Sequence, residues 1–290
     1  MKKYRYDGSE KFSIKSFDCA EKGDFDKESA AVKLAENCAK IDELQQKLYA
    51  EKKEGLIVIF QAMDAAGKDG AIREVFGPLN THGVSEYAFK TPSSEETRHD
   101  YLWRFWKALP EKGNISIFNR SYYEDVLCQK IHKYYKSYNF ADRIDSADII
   151  ANRYGQIRGF EKYLWENSTR VVKIFLNVSK EEQAKRFLSR IDTKKKNWKV
   201  SKGDIDERAF WGEYMDAFET CINKTASKHC PWYVVPADHK WYARLMVSEI
   251  VLDVLKDMDP AYPKPDDSEK ANFAALRSKL IKENGGEKTK

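Results

Sequence analysis

The stretch LIVIFQAMDAAGKDG, residues 56–70, decides the reading. Leu56 to Phe60 are five consecutive apolar residues, mostly β-branched, the pattern of a strand buried on both faces. Gln61 to Gly70 is a turn of small residues ending in Gly-Lys, and a helix is expected from about Asp69. A buried strand feeding a Gly-Lys turn and then a helix is what a phosphate cradle needs. Backbone N–H groups and the helix N-terminus point at the anion, and Lys68 adds a mobile positive charge. Ala65, Ala66 and Gly67 are small enough for the backbone to approach phosphate oxygens, and Asp69 and Gly70 complete the loop.

The loop departs from G-x-x-x-x-G-K-[ST] at two places. Ala62 stands where the first Gly would be, and Asp69 replaces the Ser or Thr that would bind Mg²⁺. A metal must then be held by another group, and Asp64, inside the loop, supplies a carboxylate. The plainer alternative for Asp64 is a turn-stabilising contact to its own backbone.

Outward from the loop, strand and helix alternate through 55–258, the signature of a parallel sheet wrapped by helices. Further strands are expected at 87–89, 115–118, 171–176 and 232–235, with helices at 29–52, 94–109, 121–135, 143–167, 180–191, 205–226 and 240–258. Gly55 is read as closing the first helix. Residues 1–27 read as an irregular arm, 28–258 as the P-loop domain, and 259–290 as a tail with a short amphipathic piece near 270–282 and a frayed end, ENGGEKTK.

The strand at 115–118 runs directly into Asn119, Arg120 and Ser121. In doubly wound sheets, ligands bind beyond the carboxyl ends of the strands. Arg120 would stand there to stabilise charge on a transferring phosphoryl group, and Glu124, one turn on, would reach the metal. The alternative for Asn119 is a helix cap. Lys90 and Asp238 also follow strands.

The chain carries a net charge of +5, and the segment from Lys185 to Arg208 holds nine Lys or Arg against four Asp or Glu, the same +5. A local basic field suits an anionic partner. Arg186 and Arg190, four apart on a predicted helix, share a face, and a cationic flap at about 183–208 reads as a lid that excludes water. The alternative is a solvated lysine-rich loop. Nucleic acid is not the expected partner, because no nucleic-acid module is present and the charge is local. No apolar stretch is long enough to span a bilayer, no signal peptide follows the basic start, and the five Cys have no C-x-x-C spacing, so a cytoplasmic location is expected. The five His (His82, His99, His132, His229, His239) show no metal spacing.

With these residues in place the chain resembles the polyphosphate kinase 2 family, in QAMDAAGKDG (61–70), FKTPSSEE (89–96), HDYLWRFWKALP (99–110), IFNRSYYEDVL (117–127), KRFLSRID with KNWK (185–199) and PWYVVPADHKW (231–241). The resemblance implies a three-layer α/β P-loop kinase fold, thymidylate-kinase-like, with a helical lid. It implies Mg²⁺- or Mn²⁺-dependent phosphoryl transfer between inorganic polyphosphate and adenine or guanine nucleotides, and a homo-oligomer, dimer or tetramer. Asp64 and Lys68 fall on the family's loop acid and lysine, Arg120 on its second-motif arginine, Arg186 and Arg190 on its lid arginines. Many members carry Asp where this chain has Asn119. The N-R-S form looks like the subgroup, class III, that accepts both AMP and ADP, and it shifts metal binding toward Asp64 and Glu124. The rival enzyme reading is an ATP-dependent nucleotide or small-metabolite kinase.

Overall fold

Six strands form one sheet in the computed structural model, which describes residues 2–284. They are β1 (Arg5–Tyr6), β2 (Gly55–Gln61), β3 (Val84–Ala88), β4 (Ile115–Asn119), β5 (Thr169–Asn177) and β6 (Trp232–Pro236). Their spatial order is β1-β6-β5-β2-β4-β3. All neighbours are parallel except β1, which pairs antiparallel with β6 at the edge. The irregular arm expected at the N-terminus therefore contributes a strand, and Tyr4 and Phe12 anchor it in the core. The frayed end expected over 283–290 lies, from 285 onward, outside the described residues.

The helices are α1 (Lys27–Glu51), α2 (Lys68–Phe76), α3 (Trp103–Trp106), α4 (Cys128–His132), α5 (Ile149–Glu166), α6 (Lys180–Ile191), α7 (Lys202–Asp206), α8 (Trp211–Thr225), α9 (Lys240–Met258) and α10 (Asp267–Glu283). α1, α2 and α9 pack together as one outer layer, and α4, α5 and α8 as the other. The central strand β2 is buried along its whole length, as its apolar run requires. Phe60 meets Phe76 of α2 edge-on at 6.3 Å, and Phe175 stacks on Phe218 of α8 at 4.1 Å, so aromatic pairs tie the sheet to a helix on each side.

Two expected features change. Gly55 does not close α1; it opens β2 opposite Thr169, and the left-handed residue after α1 is Lys52, with φ 55°. The helices expected over 94–109 and 121–135 are broken into single turns, only Trp103–Trp106 and Cys128–His132 being α-helical. Their apolar residues pack as an aromatic cluster around the β4 end, where Phe105 meets Tyr122 edge-on at 5.5 Å.

One polar network lies inside the apolar sheet. Lys173, in the middle of β5, and Glu161 of α5 are both almost inaccessible and pair at 2.7 Å. Glu161 also accepts from the Tyr122 and Tyr123 hydroxyls at 3.0 and 2.7 Å, and Lys173 donates to the Thr225 carbonyl at 2.9 Å. The buried carboxylate thereby accepts from three buried donors, Lys173 and the two tyrosine hydroxyls, and the segment just after Arg120 is fastened to α5.

Candidate active site

The register of β2 and β4 places Phe60 opposite Asn119, so the loop leaving β2 and the turn leaving β4 start side by side. The Arg120 N–H closes the join by donating to the Phe60 carbonyl at 3.0 Å. Arg120 has φ 65°, a left-handed conformation that aims its side chain across the loop. Its Nη2 donates to Asp64 Oδ1 at 2.5 Å. Asp64 is therefore an ion-pair partner and not a turn contact to its own backbone.

The loop holds two left-handed residues of its own. Gly67, at φ 115°, caps α2 without a Cβ penalty, and Ala65 sits at φ 62°. Lys68 begins α2, is 8% exposed, and donates from Nζ to the Ala62 carbonyl at 3.0 Å. Burial and then Arg120 push its ammonium below the ordinary lysine value, while Asp64, Glu124 and Asp69 hold it up. Burial alone would raise the Asp64 carboxyl, but Lys68, Arg120 and Arg190 outweigh it and hold Asp64 below its usual range. Asp64 is thus an ionised carboxylate among three cations.

These residues border a cavity of about 750 Å³. The loop from Asp64 to Gly70 forms its floor, and Lys90, Asn119 and Arg120, with Arg190, Trp198 and Lys199, line its sides. The cavity thus brings together the expected Asp64, Ala65, Ala66, Gly67, Lys68, Asp69, Gly70, Lys90, Asn119, Arg120 and Arg190. Lys240 and Arg244, at the start of α9, also line it and were not anticipated. The sequence signal was a pair of cations, Lys240 and Arg244, four apart just after the last strand. Asp238 itself is structural, accepting the Ser179 N–H at 2.7 Å to hold the start of α6.

Two expected site residues do not line the cavity. Glu124 lies behind Lys68 and Arg120. With the Gln61 amide turned so that its oxygen takes the Ser121 N–H and hydroxyl, its nitrogen donates to Glu124 Oε1 at 2.9 Å. Burial raises the Glu124 carboxyl despite the lowering pull of Arg120 and Lys68. Arg186 is 5% exposed, and its guanidinium points into the backbone of the phosphate loop. Asn119 is not a helix cap either: Ser121 caps the next turn, while Asn119 Nδ2 donates to Asp69 at 3.0 Å and Glu86 at 3.2 Å.

Among the described residues no group of three or more His, Cys, Asp or Glu forms a ready metal cage, and all five cysteines are free. No helix of the described residues is long and apolar enough to cross a membrane.

This arrangement, a Gly-Lys loop on the central strand with Arg120 joined to Asp64, stands beside the comparison to known proteins. The family model for polyphosphate kinase 2 (PPK2) matches residues 24–263. The chain belongs to the polyphosphate kinase 2 family. It is 43% identical over 248 residues to an ADP-polyphosphate phosphotransferase of Rhodopseudomonas palustris, covering 84% of this chain and 85% of that one. It is 38% identical over 268 residues to an AMP/ADP-polyphosphate phosphotransferase of Meiothermus ruber, covering 92% and 97%. The crystal structure of polyphosphate kinase 2 from Arthrobacter aurescens TC1 superimposes with a TM-score of 0.86 at 39% identity, covering 95% of both chains. The P-loop kinase fold expected from the sequence is the fold of this family.

Proposed function

We propose that this protein transfers the terminal phosphoryl group of inorganic polyphosphate to ADP and AMP, giving ATP and ADP, and runs the reverse reaction. The observation that carries this reading is the convergence of Lys68, Arg120 and Arg190 on one cavity floored by a phosphate loop, in a chain of this family. The named relatives from Rhodopseudomonas palustris and Meiothermus ruber support the donor and acceptors.

In the transfer, a phosphate oxygen of the acceptor bonds to the terminal phosphorus as the bond from that phosphorus to its bridging oxygen breaks. The shortened chain leaves with that electron pair. A nucleotide phosphate is already ionised at neutral pH, so no strong base is needed, and catalysis rests on positioning and charge stabilisation. Lys68 and Arg120 neutralise charge on the transferring group, and Arg190 covers it from the lid. Trp198, 79% exposed at the lid edge of the cavity, marks the surface that closure would bury to exclude water.

The carboxylates fit Mg²⁺ or Mn²⁺. A hard cation held by one or two carboxylates plus phosphate oxygens needs no protein cage, and Asp64 presents an ionised carboxylate on the cavity floor. When bound, the ion would draw charge from the phosphate oxygens. Asp64 would hold it, with Glu124 behind as countercharge to Lys68 and Arg120. Asn119 bridges Asp69 and Glu86 by donating to both, which a carboxylate at that position could not do.

The same reading places the protein in the cytoplasm, with adenine or guanine nucleotides as acceptors, and as a homo-oligomer, dimer or tetramer. The test is product formation with AMP and with ADP as acceptors. Both should be phosphorylated in a polyphosphate-dependent way, chelation should stop both, and added Mg²⁺ or Mn²⁺ should restore them. Turnover with ADP alone would overturn the dual-acceptor reading.

A further inference from the structure

Arg186 has five N–H donors, and all five are engaged within the protein. Nε donates to Glu182 at 2.8 Å. Nη1 donates to the carbonyls of Ala65 at 3.1 Å and Ala66 at 2.6 Å, and Nη2 to those of Ala237 at 2.5 Å and Asp238 at 2.9 Å. One turn earlier on the same face of α6, Gln183, 1% exposed, donates from Nε2 to the Asp64 carbonyl at 2.8 Å. Three successive carbonyls of the phosphate loop, those of Asp64, Ala65 and Ala66, are thus taken by one helix.

In a trans peptide the C=O and the following N–H point in opposite directions. Holding the Asp64 and Ala66 carbonyls on α6 turns the Ala65 and Gly67 N–H groups the other way. Ala65 needs such a hold, since a non-glycine residue at φ 62° persists only when its surroundings fix it. We infer that Gln183 and Arg186 are positioning residues that set the peptide planes of the phosphate loop, Arg186 having no donor left for a phosphate. The clamp reaches further along the lid: Arg208, beyond α7, donates to Gln183 Oε1 and to the Lys180 carbonyl. The lid and the loop are thereby one hydrogen-bonded unit.

This inference rests on the proposed function for its kinetic consequence but not for its structural one, so the test has two parts. Hydrogen exchange of the unliganded protein is compared between wild type and Arg186→Lys. A lysine cannot reproduce a fork that reaches both the loop and the end of β6. Amide exchange over 63–68 should rise about tenfold or more, while exchange in the body of β2 stays the same. In the polyphosphate assay, kcat should fall about a hundredfold, with KM for polyphosphate and for ADP within about threefold of wild type.

Gln183→Met, which keeps the volume but removes both the donor to the Asp64 carbonyl and the acceptor for Arg208, should give the same signature with a kcat loss of about tenfold, and it decides the matter if Arg186→Lys does not fold. Unchanged exchange at the loop, faster exchange without a fall in kcat, or a raised KM for polyphosphate with kcat kept would each overturn the inference. Faster loop exchange in the variant, together with a wild-type protein that never turns over polyphosphate, would instead overturn the functional reading and leave the clamp standing.

Discussion

Replacing Lys68 with alanine removes the single ammonium buried in the floor of the phosphate cavity. In the structure Nζ donates to the Ala62 carbonyl, 3.0 Å away, and feels the charges of the paired Asp64 and Arg120. A hydrogen bond from a charged donor contributes about 1.5–3 kcal/mol. An ammonium under a transferring phosphoryl group reaches two oxygens, so about 3–6 kcal/mol of transition-state stabilisation is at stake. At about 1.4 kcal/mol per tenfold, kcat/KM should fall at least a hundredfold.

The fold should tolerate the change. The Arg120–Asp64 pair remains, the repulsion between Lys68 and Arg120 disappears, and water can reach the half-buried Ala62. The assay is luminescent detection of ATP from ADP and polyphosphate, with thermal melting followed in parallel. A variant that melts like wild type and retains more than about a tenth of its kcat/KM would refute the placement of the phosphoryl group over this loop.

Two further outcomes follow from buried charge. Lys173→Met strands the Glu161 carboxylate in the interior and should destabilise the protein by about 3–5 kcal/mol in urea unfolding; a loss under about 1 kcal/mol would contradict the network described here. Burial pushes the Asp125 carboxyl up to about 7, against the lowering pull of Arg153 at 3.4 Å. In the unfolded chain it titrates near about 3.9, so between the two values the folded state binds more protons and this group's contribution to stability declines as pH rises. Asp125→Asn should therefore gain on wild type from about pH 4 to pH 7 in unfolding measurements, and a pH-independent difference would refute the assignment.

The parts of the fold readable from sequence are those where one local pattern has one physical cause. The apolar runs at 56–60 and 171–176 cannot face water on either side and became β2 and β5. The boundaries expected for α6 and α9 were also met, because each helix begins just after a strand's turn. β1 was illegible because two residues at a sheet edge carry no periodicity. The broken turns at 94–109 and 121–135 read as helices because aromatic packing around the β4 end mimics helical spacing.

The site was legible where polar residues end a buried strand, as at Asp64, Lys68, Asn119 and Arg120. The roles of neighbouring residues were not. Arg186 and Arg190 lie four apart on α6, yet the first faces loop carbonyls and the second the cavity, a difference set by the position of the loop and not by the spacing. Gln183 went unread although it held a signal: a polar residue one turn before Arg186 on the inward face of an otherwise solvated helix.

The central claim, that polyphosphate is the phosphoryl donor, is tested most directly by incubating the purified protein with ADP, Mg²⁺ and long-chain polyphosphate, and measuring ATP against a matched reaction without polyphosphate. The account predicts ATP formation that requires polyphosphate and stops when Lys68 is removed. ATP appearing equally without polyphosphate, or no ATP while the same protein phosphorylates an acceptor from ATP, would contradict it.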